Sequence, residues 1–162
     1  MAEPELLQPA LLDRLVDLDP DLDRDPTPPD AARPTALREA LRRDLEMLLN
    51  TRCRPQMLPP GMAQLDASIL SLGVGDFFSA SLVTEVQRRD FAAELHRRIA
   101  LFEPRLENLT VTLHDDPNPA QRSLHLRIKA EYRARPGLPP LIFDSRVDPV
   151  GGRFSVSEGR HG

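Results

Sequence analysis

The stretch FAAELHRRIALFEPRLENLTVTL, Phe91 to Leu113, changes its apolar period halfway along. Phe91, Leu95, Ile99 and Phe102 recur at steps of three and four, which puts them on one face of a helix. Leu109, Val111 and Leu113 then alternate with Thr110 and Thr112, the pattern of a half-buried strand. Proline disfavours helical backbone at the residue before it and costs about 3 kcal/mol inside a helix. Pro104 therefore predicts a helix end at or near Glu103. Glu103, Pro104 and Arg105 become a stiff corner where helix turns into strand. On the plain reading the proline is a stop signal between two solvated charges. On the sharper reading it aims both charges, which pair with each other or with a partner's groups, the guanidinium fork suiting a carboxylate.

Working outward, Ser81 to Glu103 reads as one main helix, with Ser81 as candidate cap, Glu85 in its first turns, and Val83 and Val86 extending the apolar stripe. Arg88, Arg89, Arg97 and Arg98 lie among Glu85, Asp90 and Glu94 and read as a solvated, paired face. His96 lacks a second ligand at the next turn, so it is a surface or satisfied histidine and not a metal site. Pro34 to Thr51 is the other main helix, capped by Thr35 and lined by Leu37, Leu41, Leu45, Leu48 and Leu49. Glu39 and Arg43 form an i, i+4 pair in the favourable orientation. Asn50 suits the left-handed end position, and Arg52 the negative end of the helix dipole.

Between these helices, Arg54 to Gly61 (RPQMLPPG) holds three prolines and is extended. A short helix around Leu65, Ile69 and Leu70 precedes Gly73 and Gly75. With no Lys-Ser/Thr after it and no clear strand before it, Gly73-x-Gly75 is not a phosphate loop. After the corner come strands at Leu109–His114, Ser123–Ala134 and Leu141–Val147, with a short last one at Arg153–Val156. Turns at Asp115–Pro119 and Pro136–Pro140 connect them. Short connections make the strands an antiparallel meander. The expected class is α+β: two main helices packed on one face of a small, three- to four-stranded antiparallel sheet.

Composition narrows the function. The chain has 162 residues, 40% hydrophobic and 28% charged, as one soluble domain does. Aromatics make up 4%, so the core is mostly Leu, Ile and Val. A net charge of −4 gives no electrostatic case for nucleic acid. Cys53 alone makes neither an internal disulfide nor a cysteine metal site, and it suits a reducing cytoplasm. The acidic start and the lack of a long apolar run predict no signal peptide and no membrane span. Residues 1–33 carry nine acidic residues against three arginines, a local charge of about −6, together with six prolines. They read as an N-terminal extension: a short docking helix at about 7–16, then a largely disordered linker from Asp19 to Arg33. The folded domain is expected over 34–157 and a tail over 158–162. Leu11, Leu12 and Leu15 would dock on the domain itself or on another protein.

Four stretches occur in a telling order: LLDRL (Leu11–Leu15), LLNTR (Leu48–Arg52), FEPRL (Phe102–Leu106) leading into an alternating strand, and FDSRVD (Phe143–Asp148). Together they resemble the baseplate wedge family of contractile injection machines, and within it the TssE branch that serves type VI secretion. The likeness runs from about Leu11 to Val156 and includes a short glycine-bearing loop, here Ser71–Asp76. It implies a non-enzymatic structural part, without cofactor, at the cytoplasmic face of the cell envelope. Such a part joins the baseplate wedge to the sheath and helps to start sheath assembly. The implied partners are the baseplate subunits TssF, TssG and TssK and the sheath subunits TssB and TssC, with no nucleic acid and no membrane insertion. Leu11, Leu12 and Leu15 would be its anchor to another subunit, and Glu103, Pro104 and Arg105 its partner-binding or corner-fixing contacts. A wedge protein of a phage or phage-tail-like particle is the neighbouring reading, and a regulatory binding module on a related fold another.

The family's lysozyme label supplies the enzymatic alternative. Glycosidases need two carboxylates roughly 5–9.5 Å apart, one of them held protonated. Arg105 beside Glu103 favours the ionised form, the wrong one for a general acid. Asp115, Asp116 and Asp144 sit in turns or at a strand end, where none is singled out as the second carboxylate.

Overall fold

The computed structural model describes residues 15, 20, 21, 23, 33–53, 62–75, 84–115, 124–133, 139–148 and 152–159. Helix α1 spans Arg33–Asn50. Its leucines at 37, 41, 45, 48 and 49, with Ala40, are all buried, as their spacing requires. The helix begins ahead of Thr35, which lies inside the first turn and does not cap it; Pro34 fits there because its missing N–H has no intrahelical acceptor. Glu39 takes its hydrogen bonds from Arg42, three residues on, and Arg43 acts on it only at longer range. Arg42 also reaches Glu46, so one guanidinium bridges two turns.

A short helix α2 (Ala63–Asp66) and a 3₁₀ turn (Ile69–Ser71) follow. The short helix expected around Leu65, Ile69 and Leu70 is divided, and Ile69 and Leu70 are 82% and 56% exposed. Two short turns in place of one helix give no continuous face to bury. Gly73 then crosses the end of α1 with φ of 105°, and a Cβ there would lie 2.3 Å from the Thr51 carbonyl oxygen. Only glycine fits that approach. It lets Val74 exchange backbone hydrogen bonds with Thr51 and Cys53.

Helix α3 (Glu85–Phe102) starts at Thr84, not at Ser81. The Thr84 hydroxyl accepts from the Gln87 N–H while the Gln87 side chain accepts from the Thr84 N–H, a complete capping box. Ser81 and Val83 lie outside the described residues. Phe91, Leu95 and Ile99 are buried and Phe102 half-buried, but Val86 is 61% exposed. A step of five residues puts Val86 about 140° round the helix from Phe91.

The sheet is a four-stranded antiparallel meander, β1 (Leu106–Asp115), β2 (Leu124–Tyr132), β3 (Leu141–Asp148) and β4 (Arg153–Glu158), paired in that order. Leu126, Ile128, Ala130 and Tyr132 of β2 are buried with Phe143 and Val147 of β3 and Phe154 and Val156 of β4. These residues share one core with the leucines of α1 and the stripe of α3, so both main helices cover the same sheet face. The fold is α+β. Strand β1 starts three residues earlier than its alternation predicts. Leu106 and Leu109 both face the core, an odd spacing that demands a β-bulge; Asn108 supplies it with φ of 50°.

Candidate functional site

The corner is built from three elements. Glu103 ends α3, its N–H donating to the Ile99 carbonyl at 2.8 Å, and Pro104 and Arg105 turn the chain into β1. The Arg105 carbonyl accepts from the Arg133 N–H at 2.9 Å, which seats the turn on the end of β2. Glu103 is buried, Pro104 exposed and Arg105 partly buried. The Arg105 guanidinium closes on Glu103, Nε donating to Oε1 at 2.5 Å and Nη2 to Oε2. Nη2 also donates to Asp44 of α1. Hydrogen bonding to Glu103 raises the Arg105 pKa further above its ordinary value, against the effect of burial, and Asp44 adds to the rise. Among the described residues Nη1 is buried without a hydrogen-bond partner. The structure thus brings Glu103, Pro104 and Arg105 together as a charged clamp between the first helix and the corner.

Asp44 is the member that sequence reading missed. Its only sequence signal was an acid bordering the leucine stripe, between Leu41 and Leu48. Chemically, one guanidinium holding two carboxylates is a cross-link: both acids accept hydrogen bonds from the same side chain. Of the proposed docking residues, Leu15 is helical and 73% exposed; Leu11 and Leu12 lie outside the described residues.

A second clamp ties α3 to the glycine loop. Arg98 is buried, not solvated, with Nε on Glu94 Oε1 and Nη1 on the Ser71 carbonyl, both at 2.8 Å. Arg97 bonds Glu94 and Asp66. Burial pushes the Glu94 carboxyl up, but the hydrogen bonds from Arg97 and Arg98 outweigh it and hold the pKa below its ordinary value.

The sheet has two edges, and they differ. Gly159 N–H donates to the Ile142 carbonyl, so the odd-numbered residues of β4 turn their backbone groups to β3 and Phe154, Val156 and Glu158 turn theirs outward. Asn50, expected in left-handed backbone, does not adopt it. Instead its side chain accepts from the Phe154 N–H and donates to the Phe154 carbonyl, both at 2.9 Å. Arg42 Nη1 donates to the Val156 carbonyl at 3.0 Å. Helix α1 therefore blunts this edge with its own side chains. At the other edge, Thr110, Thr112 and His114 face β2, and Leu109, Val111 and Leu113 turn their backbone groups outward. Of these, the Leu109 carbonyl lies 3.2 Å from His96 Nε2. Beside this edge a groove is lined by Glu85, Arg88, Arg89 and Ala92 of α3 with Leu113 and His114 of β1.

Among the described residues no group of histidines, cysteines or acids could hold a metal, and no helix is long and apolar enough to cross a membrane. Residues 35–137 match the family model described as Baseplate wedge protein gp25, a span that includes both main helices, the corner, β1 and β2. No curated protein matches the chain.

Proposed function

Because the chain belongs to the baseplate wedge protein family, a structural component of phage-tail-like baseplates, we propose that it is the TssE-type subunit of a type VI secretion baseplate. It joins the wedge to the sheath and helps to begin sheath assembly on the cytoplasmic side of the envelope. Its partners are the baseplate subunits TssF, TssG and TssK and the sheath subunits TssB and TssC. The observation that carries this reading is the family match over the corner and over β1 and β2, on the side of the sheet where, among the described residues, no further strand pairs. An unpaired strand edge is a template for another chain's strand, which is an ordinary way to start a polymer in a fixed orientation.

The charged corner fits a fixing role. Glu103, Pro104 and Arg105 hold the angle between α3 and β1 and lock it to α1 through Asp44, which keeps β1 in a set position relative to the helices. Leu11, Leu12 and Leu15 serve as the second attachment. The protein acts without enzymatic activity.

The test is a pull-down of the tagged chain against baseplate and sheath subunits, with sheath assembly scored in cells for Glu103→Ala and Arg105→Ala. Capture of both subunit classes and failed assembly in the variants support the proposal. Unchanged assembly in both variants would reject the corner's role. Peptidoglycan cleavage that disappears in Glu103→Gln would replace the whole reading with the lysozyme one.

A further inference from the structure

We propose that the Ile69–Leu70 turn is a preset apolar plug that enters an uncharged apolar pocket on a neighbouring baseplate subunit; this rests on the baseplate reading above. Ile69 is the most exposed large apolar side chain among the described residues, and Leu70 beside it is exposed as well. Neither belongs to the core or packs against it. The turn that carries them is firmly held. The Ser68 hydroxyl accepts from the Leu70 N–H at 3.3 Å and donates to the Leu65 carbonyl at 2.8 Å. The Leu72 N–H closes the turn on the Ile69 carbonyl, and the Ser71 hydroxyl donates to the Ser68 and Asp66 carbonyls. Buried Arg98 holds the Ser71 carbonyl, and Gly73 lets Val74 pair with the end of α1. Two apolar side chains displayed on so rigid a support lose little backbone freedom on binding, a property of interface anchors.

Area and charge define the occupant. Two exposed side chains offer on the order of 300 Å² of apolar surface, the low end of the patches that monomers show. Two copies of the chain meeting turn to turn would bury about 600 Å², half of the least that a specific interface needs. The occupant is therefore a larger protein that supplies a concave pocket and makes its other contacts elsewhere on the chain. The charges around the turn cancel. Arg97 bonds both Glu94 and Asp66, and Arg98 bonds Glu94, so two acids and two guanidiniums are joined to one another. A charged rim on the partner would find no opposite charge left to meet, so the pocket is aliphatic or aromatic inside and uncharged at its rim.

The experiment measures capture of the purified baseplate subunits TssF and TssG of the same machine by the full chain. Replacing both residues, Ile69→Ser with Leu70→Ser, should weaken capture about tenfold or more while leaving melting unchanged, because both side chains face water in the isolated chain. Ser68→Ala keeps the apolar surface but loosens the turn, and should weaken capture about threefold. Capture by the unaltered chain should change less than about twofold between about 50 and 500 mM salt. Full capture by the double variant overturns the plug and leaves the baseplate reading intact, whereas no capture by the unaltered chain removes both. A steep fall with salt overturns the uncharged pocket, and full capture by Ser68→Ala overturns the preset turn. Should the double variant melt early, a photo-crosslinking residue at position 69 of the otherwise unaltered chain decides, with TssF, TssG and the sheath pair TssB and TssC all present. An adduct on TssF or TssG supports the plug. An adduct on a sheath subunit, on a second copy or on the chain's own residues, or none at all, refutes it.

Discussion

Replacing Arg105 by alanine removes one side chain that serves two carboxylates on different elements. The Glu103 side chain is 8% exposed, Asp44 20% and Arg105 23%. Without the guanidinium, Glu103 loses both of its hydrogen bonds from Arg105 in a site nearly closed to water. Breaking a buried pair costs about 3–5 kcal/mol, and each hydrogen bond to a charged group about 1.5–3 kcal/mol, terms that overlap and do not add. Because Arg105 itself reaches solvent, water can follow into the space it leaves, and the lower end of the range applies: about 3 kcal/mol. Urea unfolding at neutral pH should show this as a lower midpoint with unchanged slope, and melting about 10 °C earlier. The double variant Glu103→Gln, Arg105→Met should recover part of the loss, because a neutral pair leaves no stranded charge. A loss below about 1 kcal/mol from Arg105→Ala, or a double variant whose cost equals the sum of the singles, would refute the buried clamp.

Other measurements probe the rest of the fold. Asn50→Ala removes bonds to Glu46 and to both backbone groups of Phe154 and should cost about 2 kcal/mol in urea unfolding; unaltered stability would mean that α1 does not pin β4. Ser145 is buried, its hydroxyl without a hydrogen-bond partner among the described residues, so Ser145→Ala should leave stability unchanged or raise it by up to about 1 kcal/mol, and a clear loss would show a missed partner. Glu94 has a folded pKa below its ordinary 4.5, so its contribution is present above that pH and fades as the pH falls through the folded value. Melting followed from about pH 6 to 3 should therefore decline less steeply for Glu94→Gln than for the parent chain; parallel declines would exclude the clamp as a source of acid sensitivity.

The sequence by itself determined what depends on neighbours along the chain. The change from a helical to an alternating period, the stop at Pro104, the leucine stripe of α1 and the short turns between strands were enough for two helices and an antiparallel meander. Periodicity and turn chemistry act within a few residues, so they are visible in a string of letters. The tertiary structure decided how charged and polar groups are used. Arg105 finds Asp44 across 61 positions, and Asn50 finds Phe154 across 104. Arg98, set among charges on its own helix, goes inward because the glycine loop offers it the Ser71 carbonyl. Whether such a group faces water or closes on another element depends on which elements pack together. That packing also closes the β4 edge of the sheet and, among the described residues, leaves β1 without a second strand.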